Sequence, residues 1–375
     1  MTNKATILKT ILLLCALVAG TEHMGGGNTY VKVTQGSDLV AGDVYIIATN
    51  TVIATNFDSS TGCLATTNTG FTCTTSGTIT TTTAVPMEFT LGVTNGNFTL
   101  KNGNYYLGYA NSSNVQYLRF SQTNSSDTKE QWKIYSNTTY GLYLVSVPTI
   151  TEDSKRYICV IDDSQVFRAY LTGYMSSFPP ANLYKKVASA DISDAGWRTY
   201  APAYAVRFRE GTNAYVVSGA NSTTATLQKV TSVPAGTPVL LEGASGTHTM
   251  DVVSTATSVS DNCLHVSNGT NPEGDMYVLS KVDDAVGFYL WDKTFTLPEG
   301  KIYLQLNTTG GARPFIALPG EETGIGAALM NDGQSTMNND VCDLQGRRVL
   351  SPHTSHLTPL KKGLYIVNGK KVVVK

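Results

Sequence analysis

The feature that most constrains this chain is its punctuation. Short β-branched or aromatic runs recur between clusters of Asn, Gly, Ser and Thr, and no stretch beyond the first twenty residues keeps a helical period for three turns. Residues 43–49 (DVYIIAT), 97–101, 105–109, 131–135, 141–147 and 156–161 are such runs. Segments of this length bury their apolar positions only by pairing edge to edge and stacking face to face, so the chain is expected to be all-β. Composition agrees: charged residues make up only 15% of the chain while Tyr occurs 20 times, a balance that suits sheet surfaces better than helices.

A length of 375 residues exceeds one ordinary core and implies two domains with a short appendage. The first domain is placed at 29–187 as a β-barrel. Within it an aromatic opener is followed by two alternating strands, first at Phe89, 98–100 and 105–107, then at Trp132–Ile134, 142–145 and 157–159. The Thr-rich stretch 59–83 reads as edge strands or a long loop, because it is β-branched and poor in helix formers. After a boundary at 188, about seven or eight strands up to residue 319 predict a β-sandwich. Residues 320–339, rich in Gly, Asn, Glu and Met, read as a linker, and 340–375 as a short β-hairpin tail in which Asn368 and Gly369 form the corner.

The first twenty residues carry Lys4 and Lys9, an apolar run from 11 to 18, and then Ala19 and Gly20, the layout of a secretory signal peptide. That run is too short to span a bilayer, and no other segment reaches about 20 apolar residues, so the expectation is a secreted or outer-surface protein without a transmembrane anchor. Cys15 lacks the small preceding residue that a lipoprotein signal requires. The tail holds seven Lys and Arg against two Asp, which leaves the rest of the mature chain acidic and without the basic stripe that nucleic-acid binding needs.

Two resemblances follow from these residues. The openers EQWKIYS, GLYLVSV and KRYICVI resemble, loosely, those of ricin-like β-trefoils, most of which bind sugars, so a trefoil is one form the barrel could take. The tail, DVCDLQGRRVL followed by LKKGLYIVNGKKVVVK, resembles the C-terminal tails of secreted Bacteroidetes proteins, where the related segment is the sorting signal of type IX secretion. In that resemblance Asp343, Gly346, Arg347, Gly363, Tyr365 and Gly369 fall on recurrent positions, and the implied partner is the secretion machinery. This tail is shorter than the full sorting domain and carries Pro352, His353, His356 and Pro359 between its strands. The upstream stretch 30–48, and residues 196–197, 233–243 and 287–293 further on, also look like pieces of two modules of such surface proteins, without an assigned activity.

Local chemistry is sparse. His353 and His356 sit three apart between prolines with no third ligand near in sequence, and the paired Asp162–Asp163 and Asp283–Asp284 lack the alternate spacing of a calcium loop. Cys263 and His265 share a strand face, but a catalytic pair also needs an orienting group, and packing is the simpler reading. No nucleophile elbow, zinc helix or phosphate loop is present, so no catalytic residue, metal or cofactor is assigned. Cys63 and Cys73 either bridge one loop or remain free. The best binding candidates are Tyr105, Tyr106, Tyr109, Tyr117 and Trp291, whose rings offer stacking faces to sugars. The expected function is non-catalytic binding of a glycan or host matrix polymer. A hydrolase with carboxylates assembled from distant positions, and a structural, fimbria-like component, are the alternatives.

Overall fold

The computed structural model describes residues 27–110, 116–122, 127–149, 155–161, 165–220, 223–282, 285–306 and 314–319, together with the backbone of four strands in the tail. The leader, the linker 320–339, His353, His356, Asp162, Asp163, Asp283 and Asp284 lie outside the described residues. The described chain is all-β apart from short 3-10 turns, and no described helix is long and apolar enough to cross a membrane.

Fifteen strands build the first half. They are β1 (Thr29–Lys32), β2 (Val44–Ala48), β3 (Ile53–Asp58), β4 (Cys63–Thr67), β5 (Phe71–Cys73), β6 (Thr78–Thr81), β7 (Phe89–Thr94) and β8 (Asn97–Asn102). There follow β9 (Tyr105–Tyr109), β10 (Leu118–Ser121), β11 (Trp132–Asn137), β12 (Gly141–Ser146), β13 (Arg156–Ile161), β14 (Val166–Leu171) and β15 (Asn182–Ile192). Nine of them close an antiparallel ring in the order β2, β3, β4, β14, β13, β12, β11, β8, β7. The ring shuts where Tyr45 of β2 faces Phe89 of β7. Closure removes the free edges that an open sheet of this size would expose. The turn from β7 to β8 shows how sequence sets register: Asn95 and Gly96 both adopt positive φ, the two-residue turn whose twist matches a hairpin.

The barrel core is filled from alternate positions, with Tyr45, Phe89, Leu100, Leu144, Phe167 and Trp132 among its fully or nearly fully buried side chains. Trp132 satisfies its indole N–H with the Leu107 carbonyl at 2.9 Å. The internal repeat extends one unit further than the sequence suggests. Tyr45, Phe89 and Trp132 are each buried at the start of a unit, at nearly equal intervals along the chain. The first unit escapes notice because β5 and β6 are inserted after its third strand; this hairpin leaves the ring and pairs with β1. The stretch 59–83 thus holds one whole ring strand, β4, followed by an outlying hairpin.

The second half continues directly from the first. The strand expected to end at Val187 runs on to Ile192, and its first residues pair with β2 while residues 187–192 pair with a strand of the following module. The domain boundary drawn at 188 therefore falls inside β15. The remaining strands before the tail are β16 (Trp197–Tyr200), β17 (Val206–Phe208), β18 (Thr212–Ala220), β19 (Ala225–Val230), β20 (Ser232–Val233) and β21 (Val239–Gly243). To these are added β22 (Gly246–Val252), β23 (Leu264–Val266), β24 (Met276–Val282), β25 (Ala285–Leu290), β26 (Ile302–Gln305) and β27 (Phe315–Ala317).

These strands stack as a sandwich with a third layer. The end of β15 with β22, β17 and β20 forms one layer, the sheet β16–β21–β18–β19 the middle one, and β23–β26–β24–β25–β27 the outer one. Val216, Val239 and Leu241 of the middle sheet face the first layer, while Val217 and Leu240 face the outer one. Burial on both faces explains why VLL and YVV read as unbroken apolar runs instead of alternating ones. In the tail, β28 (Val341–Cys342), β29 (Arg348–Leu350), β30 (Gly363–Val367) and β31 (Lys370–Val374) form an antiparallel sheet in the order β29, β28, β30, β31. The expected hairpin is its β30–β31 pair.

Two lysines on consecutive positions of β15 fasten the halves. Lys185 is buried and reaches Asp43 at 3.0 Å; Asp43, fully buried, also takes Arg207 at 2.7 and 2.8 Å. Arg207 and Arg209 both bond Asp251 of β22. On the opposite side Lys186 pairs with Glu88 at 2.8 Å and lies 3.6 Å from the centre of the Tyr204 ring. Burial alone would raise the Asp251 carboxyl, but the hydrogen bonds from Arg209 and Arg207 and the charges of Lys185 and Arg209 hold it below the ordinary carboxylate range.

Asp43→Ala leaves buried cations without their partner and is expected to lower unfolding stability by about 3 kcal/mol in urea titrations; a loss within about 0.5 kcal/mol, the scale of a neutral surface change, contradicts this assignment. Because the folded pKa of Asp251 lies below its unfolded value of about 4, its contribution is present above that pH and lost as the pH falls toward the folded value. Asp251→Asn should therefore flatten the decline of stability below about pH 4 seen in the parent protein, as followed by thermal melts.

Candidate functional site

The hairpin β9–β10 divides the candidate tyrosines by strand parity and position. Tyr105, Leu107 and Tyr109 share the inward face; Leu107 and Tyr109 are buried in the barrel core, whereas Tyr105 stands at the strand end where that face emerges at the barrel rim. Tyr109 is only 2% exposed, with the Arg156 guanidinium over its ring, and has no free face to offer. Trp291 is likewise removed from the candidates. It is packed with Met276, Val278, Leu297 and Tyr303, and its indole N–H donates to the Phe295 carbonyl at 2.9 Å. An aromatic side chain in a β-rich sequence offers the same stacking face on paper whether its ring is core or surface.

Tyr105 is 42% exposed and ends a column of rings. Its ring lies 6.3 Å from Phe120, and Phe120 lies 4.7 Å from Phe57, with interplanar angles of 29° and 15°. Phe57 and Phe120 are half-buried against the barrel core, so the column is rooted below the rim. The Tyr105 hydroxyl accepts a bond from the Gln122 side-chain amide at 3.1 Å. A ring backed by Phe120 and held at its hydroxyl is fixed before any ligand arrives, which reduces the ordering cost of stacking on it. Phe57 and Phe120 were not singled out in the sequence because neither lies in a Tyr-rich run.

Tyr117 is also exposed, at 46%, but it lies at the other end of the hairpin, beyond Leu118, which pairs with Tyr109. It rests on the turn 58–62, where Asp58 accepts bonds from Ser60 and Thr61, contacts that lower its carboxyl pKa. Gly62 has φ +63, and a Cβ there would come within 2.8 Å of the Tyr117 Cβ, so both space and backbone require glycine. Tyr106 points to the other face of β9, with the Lys101 ammonium 5.6 Å from its ring centre. The structure thus brings Tyr105 together with Phe120 and Phe57, not with Tyr106, Tyr109, Tyr117 or Trp291.

Cys63 and Cys73 are free thiols, correcting the bridged alternative. Cys63 begins a ring strand, where its sulfur accepts from Arg168 Nε at 3.0 Å, whereas Cys73 ends the outlying β5 and packs with Phe71 beside the Asn50 side chain. Cys263 and His265 do line one cleft, of about 580 Å³, as their shared strand face implies. Burial and the nearby Asp261 push the Cys263 thiol up, the reverse of what a nucleophile needs, and His265 stacks on Tyr303 with centroids 5.5 Å apart. In the tail, Gly363 and Tyr365 lie on β30, while Asp343, Gly346, Arg347 and Gly369 lie outside the described residues.

Comparison with known proteins adds little to this geometry. No protein-family model matches the chain, and no curated protein matches it. Among solved structures, one concerned with the structure and mode of action of a mosquitocidal holotoxin aligns with 74% of this chain at 11% identity and a TM-score of 0.29. The chain spans about a third of that protein's length, 34%, and a likeness this loose carries no argument.

Thiol labelling of the native protein should reach Cys73 and Cys263, both half-buried, while Cys63 and Cys159 react only after unfolding. An intact mass two daltons low that is restored by reductant, with Cys63 and Cys73 joined in one peptide, contradicts the free-thiol assignment.

Proposed function

We propose that this chain is a non-catalytic secreted or cell-surface protein that binds a glycan or matrix polymer at the barrel rim. The observation that carries this reading is the Tyr105–Phe120–Phe57 column, whose exposed end presents one pre-set aromatic face. Sugar rings stack their C–H faces on such a platform, and side-chain amides and hydroxyls at the rim can bond the hydroxyl groups. Gln122, exposed and bonded to the Tyr105 hydroxyl, is of this kind. In a column of stacked rings only the terminal face is open, so a single sugar unit is engaged and the affinity per site is low, roughly millimolar. Repeated presentation on a surface or a polymeric ligand would raise the avidity.

The proposed route outward runs through the two ends of the chain. The layout of residues 1–20 supports export, and the tail motif supports recognition by a type IX-like secretion machinery.

A glycan and matrix-protein array should reveal binding that Tyr105→Ala weakens at least roughly tenfold, on the scale of one lost aromatic contact, while Tyr117→Ala leaves it unchanged. Absence of binding to every glycan and matrix protein, or equal binding by the Tyr105 variant, rejects the reading.

A further inference from the structure

A second concave site lies where the barrel meets the stacked sheets, far in sequence from the tyrosines of β9 and β10. It is a cleft of about 480 Å³ between β1 with the short 3-10 turn Gly36–Asp38 on one side and β17 with β22 on the other. Its floor is the ion cluster of β15. Lys185, Arg207, Arg209 and Asp251 line it, and Asp43 closes it from beneath.

The floor holds three cations against two carboxylates, and the surplus positive charge is partly shielded from water. All four carboxylate oxygens are already engaged: Asp43 by Arg207 and Lys185, Asp251 by Arg207 on one oxygen and Arg209 on the other. A guanidinium carries five N–H donors. Three of those on Arg207 and two of those on Arg209 go to these carboxylates, so both heads keep donors that no described residue takes up. Arg209 is the outermost, its side chain 43% exposed. Donors in excess, with the acceptors consumed, match a group that only accepts. The planar fork of arginine fits a carboxylate in two parallel bonds. Above the floor, Val31 and Val40 are 37% and 36% exposed and give the cleft an apolar wall. At the mouth Lys32 stands against Asp38 and Glu210, a net single negative charge that offsets the floor's surplus on paper, but both carboxylates are exposed and screened by water, so the sheltered floor keeps its local excess of donors.

We propose that this junction cleft is a binding site for a carboxylate carried on an apolar-faced body, with the anion on Arg209 and Arg207 and the body against Val31 and Val40. Such a carboxylate can come from a uronic sugar or from an aliphatic acid such as a peptide chain end. The site is independent of Tyr105.

The test is calorimetric titration of the full chain with digalacturonate and, separately, with N-acetyl-leucine, using maltose as the uncharged control. Saturable binding of either acid, absent for maltose and weakened by added salt, is expected, and which acid binds identifies the source. Arg209→Gln should reduce it roughly tenfold or more, the scale of a lost charge-assisted pair. Ser37→Glu, an exposed lining position outside the ion cluster, should also weaken it without altering the melting temperature. Tyr105→Ala should leave it intact, so that failure here and failure of the rim site are told apart. Binding of neither acid, or binding that both Arg209→Gln and Ser37→Glu leave unchanged, overturns the proposal.

Discussion

The buried carboxylate of Asp43 is the interaction on which the arrangement of this protein depends. It precedes β2, a strand of the closed ring, yet its partners are Lys185 on the strand that leaves the barrel and Arg207 on a strand of the stacked sheets. An ion taken wholly out of water is tolerated only when opposite charges surround it, so the position of Asp43 commits both modules to one relative placement. The isolated bridge from Asp43 to Val253 repeats that commitment through the backbone. Lys186, one residue along β15, makes an equivalent attachment on the other side through Glu88 and Tyr204. Consecutive residues of a strand point to opposite faces, which is why a Lys-Lys pair can secure both.

That placement has a functional consequence. The barrel rim with Tyr105 and the junction cleft with Arg209 are built on different parts of one framework, and the ion cluster that fixes the framework also supplies the floor of the cleft. The proposed acid-binding site is thus a by-product of joining the modules. Three cations gathered to neutralise two buried carboxylates leave donors turned toward solvent. The rim platform follows from a different cause, the need to close the barrel core at its mouth, which Phe57 and Phe120 meet while leaving Tyr105 outermost.

Much of the fold was legible because its signals are local. Alternation and turn residues announced the strands, and the tail sequence marked the β30–β31 pair. What escaped depended on distant pairing. The strand at 183–187 reads as terminal because the short polar run 188–194 follows it, whereas it continues to Ile192 and its two lysines are paired with Asp43 and Glu88, far away in sequence. The third sheet layer was missed for the same reason, since seven or eight strands fit two layers as readily as three. At the candidate site, tyrosine content identified Tyr105 but could not separate it from Tyr109, which lies on the same face of the same strand and differs only in distance from the strand end.

If β15 and its ion cluster make the barrel and the stacked sheets a single folding unit, native-state hydrogen exchange is the most direct measurement of it. Amides of Leu100 and Leu144 in the barrel and of Val216 and Leu240 in the middle sheet should exchange only through a common global opening, with equal protection and the same denaturant dependence. Two separate plateaus, one set of amides exchanging through an opening that leaves the other set protected, would contradict the account.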